Sequence, residues 1–338
     1  MNTMPLFDGQ RLWIDVRSPK EYERGHIPSA VNIPLFDDRE RALVGTAYAH
    51  KGRKAAISLG LKLIAHRLPL LEAQIENSMR GGYTRPLVIY CARGGMRSSS
   101  VAWLLRLYGY DVSVYPGGYK SYRGLLVQLL QRCRRIVLLE GKTGVGKTHI
   151  LKALAGSGLQ VIDLENLAKH RGSAFGYYPD QSQPTTEMLS NEIISELLKM
   201  DPDRPIFIES ESKRIGSVDI PDSFFERMKT ADFVRISSPM EQRIERILND
   251  YRSIPIEKLQ SAFDKISRRL GAERTRDAKV ATERGEYREA IGLALKYYDK
   301  AYCASSKKLF RGNELFQFEF GQEGDLSSLI ERLSSLDL

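Results

Sequence analysis

Two short stretches of this chain carry residues suited to holding anions. The first reads Gly141-Lys142-Thr143-Gly144-Val145-Gly146-Lys147-Thr148 and fits G-x-x-x-x-G-K-[ST] without a gap. Its glycines, Gly141, Gly144 and Gly146, let backbone amides curl around a pair of phosphates. Lys147 adds a point charge and Thr148 can reach a Mg²⁺ ion. The second reads Tyr90-Cys91-Ala92-Arg93-Gly94-Gly95-Met96-Arg97-Ser98. It puts a thiol at the start of a small-residue turn, with Arg93 and Arg97 in the same loop. The amides of such a turn point inward, and the start of the following helix adds partial positive charge. Together they lower a thiol pKa and stabilise a thiolate, a persulfide or a bound oxyanion. Cys133 and Cys303 have no such setting and read as structural thiols.

Each loop works only if a strand leads into it and a helix leads out. Residues 86–90 form a compact apolar run ending at the cysteine, and 98–108 has helical character. Residues 135–140 form the strand before the phosphate loop. Around the cysteine loop, short strands at 12–16, 30–34 and 112–115 alternate with turns and with helical spacing at 55–79. The basic segment 120–134 reads as a helix connecting two domains. Beyond it the alternation restarts, with strands at 159–164, 205–209 and 232–237. Residues 239–302 are mostly helical and charged, and a strand at 315–320 and a helix near 325–336 end the chain. Strands alternating with helices predict α/β architecture with parallel sheets. The expected division is a parallel-sheet domain over 1–125 and a phosphate-loop domain with a helical C-terminal portion over 126–338. An acid at the end of a strand beside the phosphate loop would partner it. Glu209, Glu211 and Asp163 are the candidates, and nothing in the sequence chooses among them. No signature for reading adenine or guanine accompanies the loop, so its ligand can be a diphosphate outside a nucleotide.

With 338 residues, 42% of them hydrophobic and 28% charged, the chain is long enough for two globular cores. No apolar run approaches a membrane span, no basic-then-apolar leader opens the sequence, and three scattered cysteines exclude a disulfide framework. A cytoplasmic protein is expected. The net charge is +9, of which +8 lies in residues 1–130. Between 120 and 152, eight Lys and Arg face a single acid, Glu140. Such a surface suits a polyanion, nucleic acid above all. Its candidate contacts are Lys120, Arg123, Arg132, Arg134 and Arg135. The mixed charges of 241–279 read as a solvated helix face, and Tyr251, Tyr297 and Tyr298 as packing residues.

The first part of the chain resembles the rhodanese domain. The run Asp15-Val16-Arg17-Ser18-Pro19-x-Glu21-Tyr22-x-x-Gly25-His26-Ile27-Pro28-x-Ala30-x-Asn32-Ile33-Pro34 is that family's opening pattern nearly in full. Cys91 stands at the sulfur-carrying position, and Gly117-Gly118 matches the closing turn. The loop departs from the common pattern: Cys91 and Arg97 are separated by five residues, a length shared with phosphatase loops that embrace a tetrahedral anion. A rhodanese-like domain followed by a phosphate-loop domain resembles the tRNA 2-selenouridine synthase family. Further matching segments are Gly45-Thr46 with Gly52-Arg53, the stretch from Asp163 through Glu165 and His170-Arg171-Gly172-Ser173-x-Phe175-Gly176, and Glu209-Ser210-Glu211.

The resemblance implies an enzyme that replaces the sulfur of wobble 2-thiouridine in tRNA with selenium from selenophosphate. It implies an S-geranyl intermediate made from geranyl diphosphate, since geranylation turns the sulfur into a better leaving group. Cys91 would then be the catalytic residue, with Arg93, Gly94, Gly95 and Arg97 holding the selenium donor. Gly141, Gly144, Gly146, Lys147 and Thr148 would hold the diphosphate. His170 and Arg171 would contact tRNA or diphosphate, and the anticodon arm would be the macromolecular partner. No motif requires a metal or an organic cofactor, Mg²⁺ on Thr148 aside. The competing readings are a P-loop kinase or ATPase with a regulatory rhodanese module, a phosphatase, and a non-catalytic RNA-binding module. Tyr90, where phosphatases carry a histidine, weighs against the phosphatase.

Overall fold

The computed structural model describes residues 7, 9–79, 85–171, 182–251, 254–309, 311–321 and 323–337. The chain divides into two compact units, Met1–Gln128 with Ser190–Lys199, and Leu129–Leu189 with Met200–Leu338. No helix among the described residues is long and apolar enough to cross a membrane.

The first unit contains β1 (Leu12–Asp15), α1 (Pro19–Arg24), β2 (Val31–Asn32), α2 (Asp38–Ile64), α3 (Leu68–Ser78), β3 (Leu87–Tyr90), α4 (Met96–Leu107), β4 (Val112–Val114) and most of α5 (Gly118–Arg132). Its four strands pair in the order β2-β1-β3-β4, all parallel. The central strand β3 is buried along its whole length and leads directly into Cys91. Helix α2 starts earlier than the periodicity from residue 55 suggests. Asp37 caps it by accepting from the Glu40 amide, while Glu40 reaches back to the Asp37 amide. The helix breaks at Gly52, where φ is +78°, so its two halves do not share one apolar stripe.

A buried ion pair organises this unit. Asp15, fully buried, accepts from the Arg17 backbone amide at 2.9 Å and from Arg17 Nη2 at 2.6 Å. Arg17 Nη2 also donates to the Gly25 carbonyl at 2.7 Å, and its guanidinium lies 3.8 Å from the centre of the Tyr119 ring. Asn32 Nδ2 donates to the carbonyls of both Asp15 and Arg17. The run from Asp15 to Asn32 is therefore an architectural knot. The segment Ser190–Lys199 joins the unit through Asn191, whose side-chain amide donates to the His26 carbonyl and the Tyr119 hydroxyl.

The second unit continues with β5 (Ile136–Glu140), α6 (Lys147–Gly156), β6 (Gln160–Ile162), α7 (Leu164–Leu167) and α8 (Thr186–Lys199), whose end belongs to the first unit. Then come β7 (Ile206–Glu209), the short antiparallel pair β8 (Arg214–Ile215) and β9 (Val218–Asp219), α9 (Asp222–Lys229) and β10 (Asp232–Ser237). The last elements are α10 (Met240–Tyr251), α11 (Ile256–Leu270), α12 (Ala272–Glu283), α13 (Tyr287–Leu309), β11 (Glu314–Glu319) and α14 (Glu323–Ser334). Five parallel strands pair in the order β11-β10-β5-β7-β6. The expected strands and the helical C-terminal portion are present, and the β8–β9 pair is an addition. Helices α10 to α13 bury their own apolar cluster around Leu259, Phe263 and Ile291.

Removing one partner of a buried ion pair leaves the other charge uncompensated. Asp15→Ala is expected to cost about 3–5 kcal/mol of first-unit stability, measured by denaturant unfolding.

Candidate functional site

The cysteine loop spans the end of β3 and the start of α4. Cys91 is a free, buried thiol. The Gly95 amide donates to its sulfur at 3.3 Å, and the Ser98 hydroxyl, also fully buried, lies 3.2 Å from it. Gly95 is the N-cap of α4, so the sulfur sits at the positive end of that helix. Burial pushes the Cys91 thiol up. Hydrogen bonds from Ser98 and from amides of the loop outweigh it and hold the thiol below its ordinary value. Cys133 has only burial with weak opposition from arginines, and its thiol is raised.

The loop's outer side is tied to α5. The Tyr119 amide donates to the Cys91 carbonyl at 2.9 Å and the Lys120 amide to the Ala92 carbonyl at 3.0 Å. This approach leaves no room for a side chain: a Cβ on Gly118 would lie 2.2 Å from the Cys91 carbonyl oxygen. Gly118 also has φ of +59°, so the closing Gly117-Gly118 turn is required twice over. Arg93 is exposed. Arg97 is engaged by an acid of the opening motif. Its Nη1 is 2.8 Å from Glu21 Oε2 and its Nη2 is 3.3 Å from Oε1. Glu21, held below the usual carboxylate range by Arg97 against the effect of burial, thus links the opening motif to the cysteine loop. Spacing alone gave Glu21 no such task.

The phosphate loop runs between β5 and α6. Lys147 Nζ donates to the Gly141 carbonyl at 2.7 Å, closing the loop on itself. Gly146 has φ of +96° and a Cβ there would meet the Phe320 ring at 2.9 Å. The Thr148 hydroxyl donates to Glu165 Oε2 at 3.2 Å, and the Glu165 amide donates to Glu209 Oε1 at 2.8 Å. Strand β7, which ends at Glu209, lies directly beside β5. All three acids considered from the sequence therefore stand near the loop, together with Glu165. Asp163 also caps α7 by accepting from the Asn166 amide. Burial raises the Glu165 carboxyl from 4.5 to about 8, with help from Glu211 and Asp163 and against the attraction of Lys147. Burial raises Glu209 strongly, reinforced by Asp163 and Glu165. Its Oε2 has no hydrogen-bond partner among the described residues. Glu211 is raised by burial and lowered by Lys147. Among the described residues, no three His, Cys, Asp or Glu are grouped so as to hold a metal ion.

Helix α10 backs the loop. Arg243 Nε donates to the Thr143 carbonyl at 2.9 Å, and its Nη1 and Nη2 grip Asp299 of α13 at 2.9 and 2.6 Å. Arg246 Nη1 reaches the Gly144 and Val145 carbonyls, each at 3.3 Å. The sequence concealed these contacts inside a stretch that reads as a solvated face.

His170 is half-buried next to the β8–β9 turn, where its ring lies in the space a Cβ on Gly216 would need. Its Nδ1 is buried without a hydrogen-bond partner among the described residues. Arg171 is described, but Gly172, Ser173, Phe175 and Gly176 lie outside the described residues, as do the side chains of Tyr251 and Cys303. Among the candidate polyanion contacts, Lys120, Arg123, Arg132 and Arg134 are exposed. Arg135 is half-buried and pairs with Asp232 at 3.4 Å, so its charge is partly spent within the unit.

Two family models match the chain: a rhodanese-like domain over residues 5–125 and a tRNA 2-selenouridine synthase AAA domain over 134–258. Similar proteins include a tRNA 2-selenouridine synthase of Nitrosomonas europaea, 33% identical over 92% of this chain and 80% of that protein. One from Pseudomonas fluorescens is 35% identical over 90% of each. Among solved structures, the N-terminal domain of a putative ATP/GTP binding protein from Clostridium difficile is 40% identical over 35% of this chain and 89% of its own, with a TM-score of 0.32.

The pKa directions give two tests. Ser98→Ala removes a donor to the sulfur, so the apparent pKa in a pH profile of Cys91 alkylation is expected to rise from its depressed value. For Glu165, the native state keeps a proton that the unfolded chain has released, so its contribution to stability is present at low pH and lost as pH rises from 4.5 to about 8. Glu165→Gln is expected to flatten that decline, measured by chemical denaturation between about pH 5 and about pH 8.

Proposed function

The chain belongs to the tRNA 2-selenouridine synthase family, and from that premise we propose that it exchanges the sulfur of wobble 2-thiouridine for selenium through an S-geranyl intermediate. The observation that carries this reading is the presence in one chain of two differently equipped anion loops. One has an activated thiol and the other a lysine-bearing phosphate cradle.

In the first step, the thiouridine sulfur attacks the carbon of geranyl diphosphate that bears the leaving group. The carbon–oxygen bond breaks and diphosphate departs. Negative charge grows on the departing oxygens, and Lys147 with the loop amides is equipped to stabilise it. If a Mg²⁺ accompanies the diphosphate, the Thr148 hydroxyl, which lies 3.2 Å from Glu165 Oε2, is the side chain that would hold it. Such an ion would neutralise charge on the leaving group. In the second step, a selenium nucleophile displaces the geranylated sulfur. Selenophosphate is a tetrahedral anion, and the five-residue interval from Cys91 to Arg97 suits one of that size. Cys91 acts directly on the donor at constant oxidation state: the phosphorus–selenium bond breaks with the phosphoryl group passing to water as phosphate, selenide adds to the base, and geranyl thiol leaves. The exposed basic residues of α5 and the segment after it suit phosphates of an anticodon arm, which position the tRNA, while unstacked bases specify it.

Nucleoside mass spectrometry tests both steps. The protein is incubated with 2-thiouridine-containing tRNA and geranyl diphosphate, and selenophosphate is added later. A geranylated nucleoside that converts to 2-selenouridine is the expected result. Lys147→Ala is expected to slow geranylation by about 100-fold or more. Cys91→Ala is expected to stop selenation while geranylation continues. Nucleotide hydrolysis with no change in any nucleoside would instead favour a kinase or ATPase carrying a regulatory rhodanese module.

A further inference from the structure

The backbone of the phosphate loop is held from outside by a small electrostatic frame. Arg243 is only 3% exposed, yet its whole guanidinium is committed: one nitrogen to the Thr143 carbonyl and two to Asp299. Asp299 also takes Lys142 Nζ at 3.3 Å, so one carboxylate of α13 holds both the loop's first lysine and the arginine behind it. One turn along α10, Arg246 spans the Gly144 and Val145 carbonyls, the Ser238 hydroxyl at 2.8 Å and the Phe320 carbonyl. Its guanidinium lies 4.7 Å from the centre of the Phe320 ring, the ring that Gly146 must avoid.

In a trans peptide the carbonyl of one residue and the amide of the next point in opposite directions. Pulling the carbonyls of Thr143 and Val145 toward α10 therefore turns the amides of Gly144 and Gly146 away from it. Those amides belong to the glycines expected to cradle a phosphate pair. Ready-made amide donors spare a ligand the cost of ordering the loop.

We infer that Arg243, Arg246 and Asp299 are positioning residues that set the affinity of the phosphate loop for a diphosphate. This rests on the proposed reading of the loop as a diphosphate site. None of the three needs to touch the ligand. Amides hold the diphosphate before and during its departure, so this frame strengthens ground state and transition state alike. Loss of such uniform binding raises KM and leaves kcat nearly unchanged. Lys147, which faces the growing charge, should differ by lowering kcat as well as weakening diphosphate binding.

The test uses the full chain with Asp299→Asn, which keeps the side chain's size and removes its charge. Arg243→Lys serves as a second variant, because an ammonium cannot reproduce the forked contact. Binding of inorganic pyrophosphate is measured by calorimetry, and KM and kcat for geranyl diphosphate by nucleoside mass spectrometry. Circular dichroism checks that each variant is folded. Weakening of pyrophosphate binding by about tenfold or more, with an equal rise in KM and kcat within about twofold, is expected. Unchanged pyrophosphate affinity in a folded variant, or a fall in kcat alone, would overturn the inference. Lys147→Ala in parallel separates the two levels. If it leaves pyrophosphate binding intact, the diphosphate reading itself fails. If it abolishes binding while Asp299→Asn and Arg243→Lys do not weaken it, only the frame fails.

Discussion

An anion loop must turn its amides toward the ligand, and a free loop has no reason to do so. Its carbonyls are the constraint. Each strong acceptor must find a donor on the outside, or it will compete for the inside. In this chain both loops meet that constraint, by different means. The cysteine loop gives the carbonyls of Cys91 and Ala92 to the amides at the start of α5. The phosphate loop gives the carbonyls of Thr143, Gly144 and Val145 to arginine side chains of α10. Backbone donors demand very close approach, which explains the crowded Gly118. Arginine donors reach further, but they bring charge, which explains Asp299.

The two loops also differ in how their electrostatics are tuned. Around Cys91, neutral donors and a helix start stabilise a negative sulfur with modest means. Around the phosphate loop, acids converge on a lysine, and burial raises the Glu165 carboxyl to about 8 and pushes Glu209 well above its ordinary value. A protonated carboxyl adds no negative charge near an incoming diphosphate, so this arrangement tolerates an anionic ligand better than four carboxylates would. The same raised values make the site sensitive to rising pH.

The two loops lie in separate units, each with its own parallel sheet and its own core. In each, the functional loop follows a strand buried along its length. A rigid strand end on one side and a helix start on the other leave the loop few conformations. That is why short motifs suffice to mark the sites, and why long-range contacts such as Arg17 with Tyr119 serve the loops from outside.

The sequence by itself determined the α/β class, the order of most strands and helices, and the two loops. Those features depend on local patterns: apolar runs, glycines at turns, and motifs contiguous in the chain. Family membership was legible for the same reason, since the opening run and the glycine-lysine loop are uninterrupted. Only the tertiary structure decided what stands behind the loops. Glu21 lies 76 residues from Arg97, and Arg243 lies 100 residues from Thr143 and 56 from Asp299. Pairings at such separations leave no periodic trace, because many acids and bases could meet and the fold selects which do. The kink at Gly52 and the β8–β9 pair were hidden for a related reason. Each is too short to interrupt a periodic pattern: one turns on a single glycine in the left-handed region, the other on a four-residue pair closed by Arg214 and Asp219.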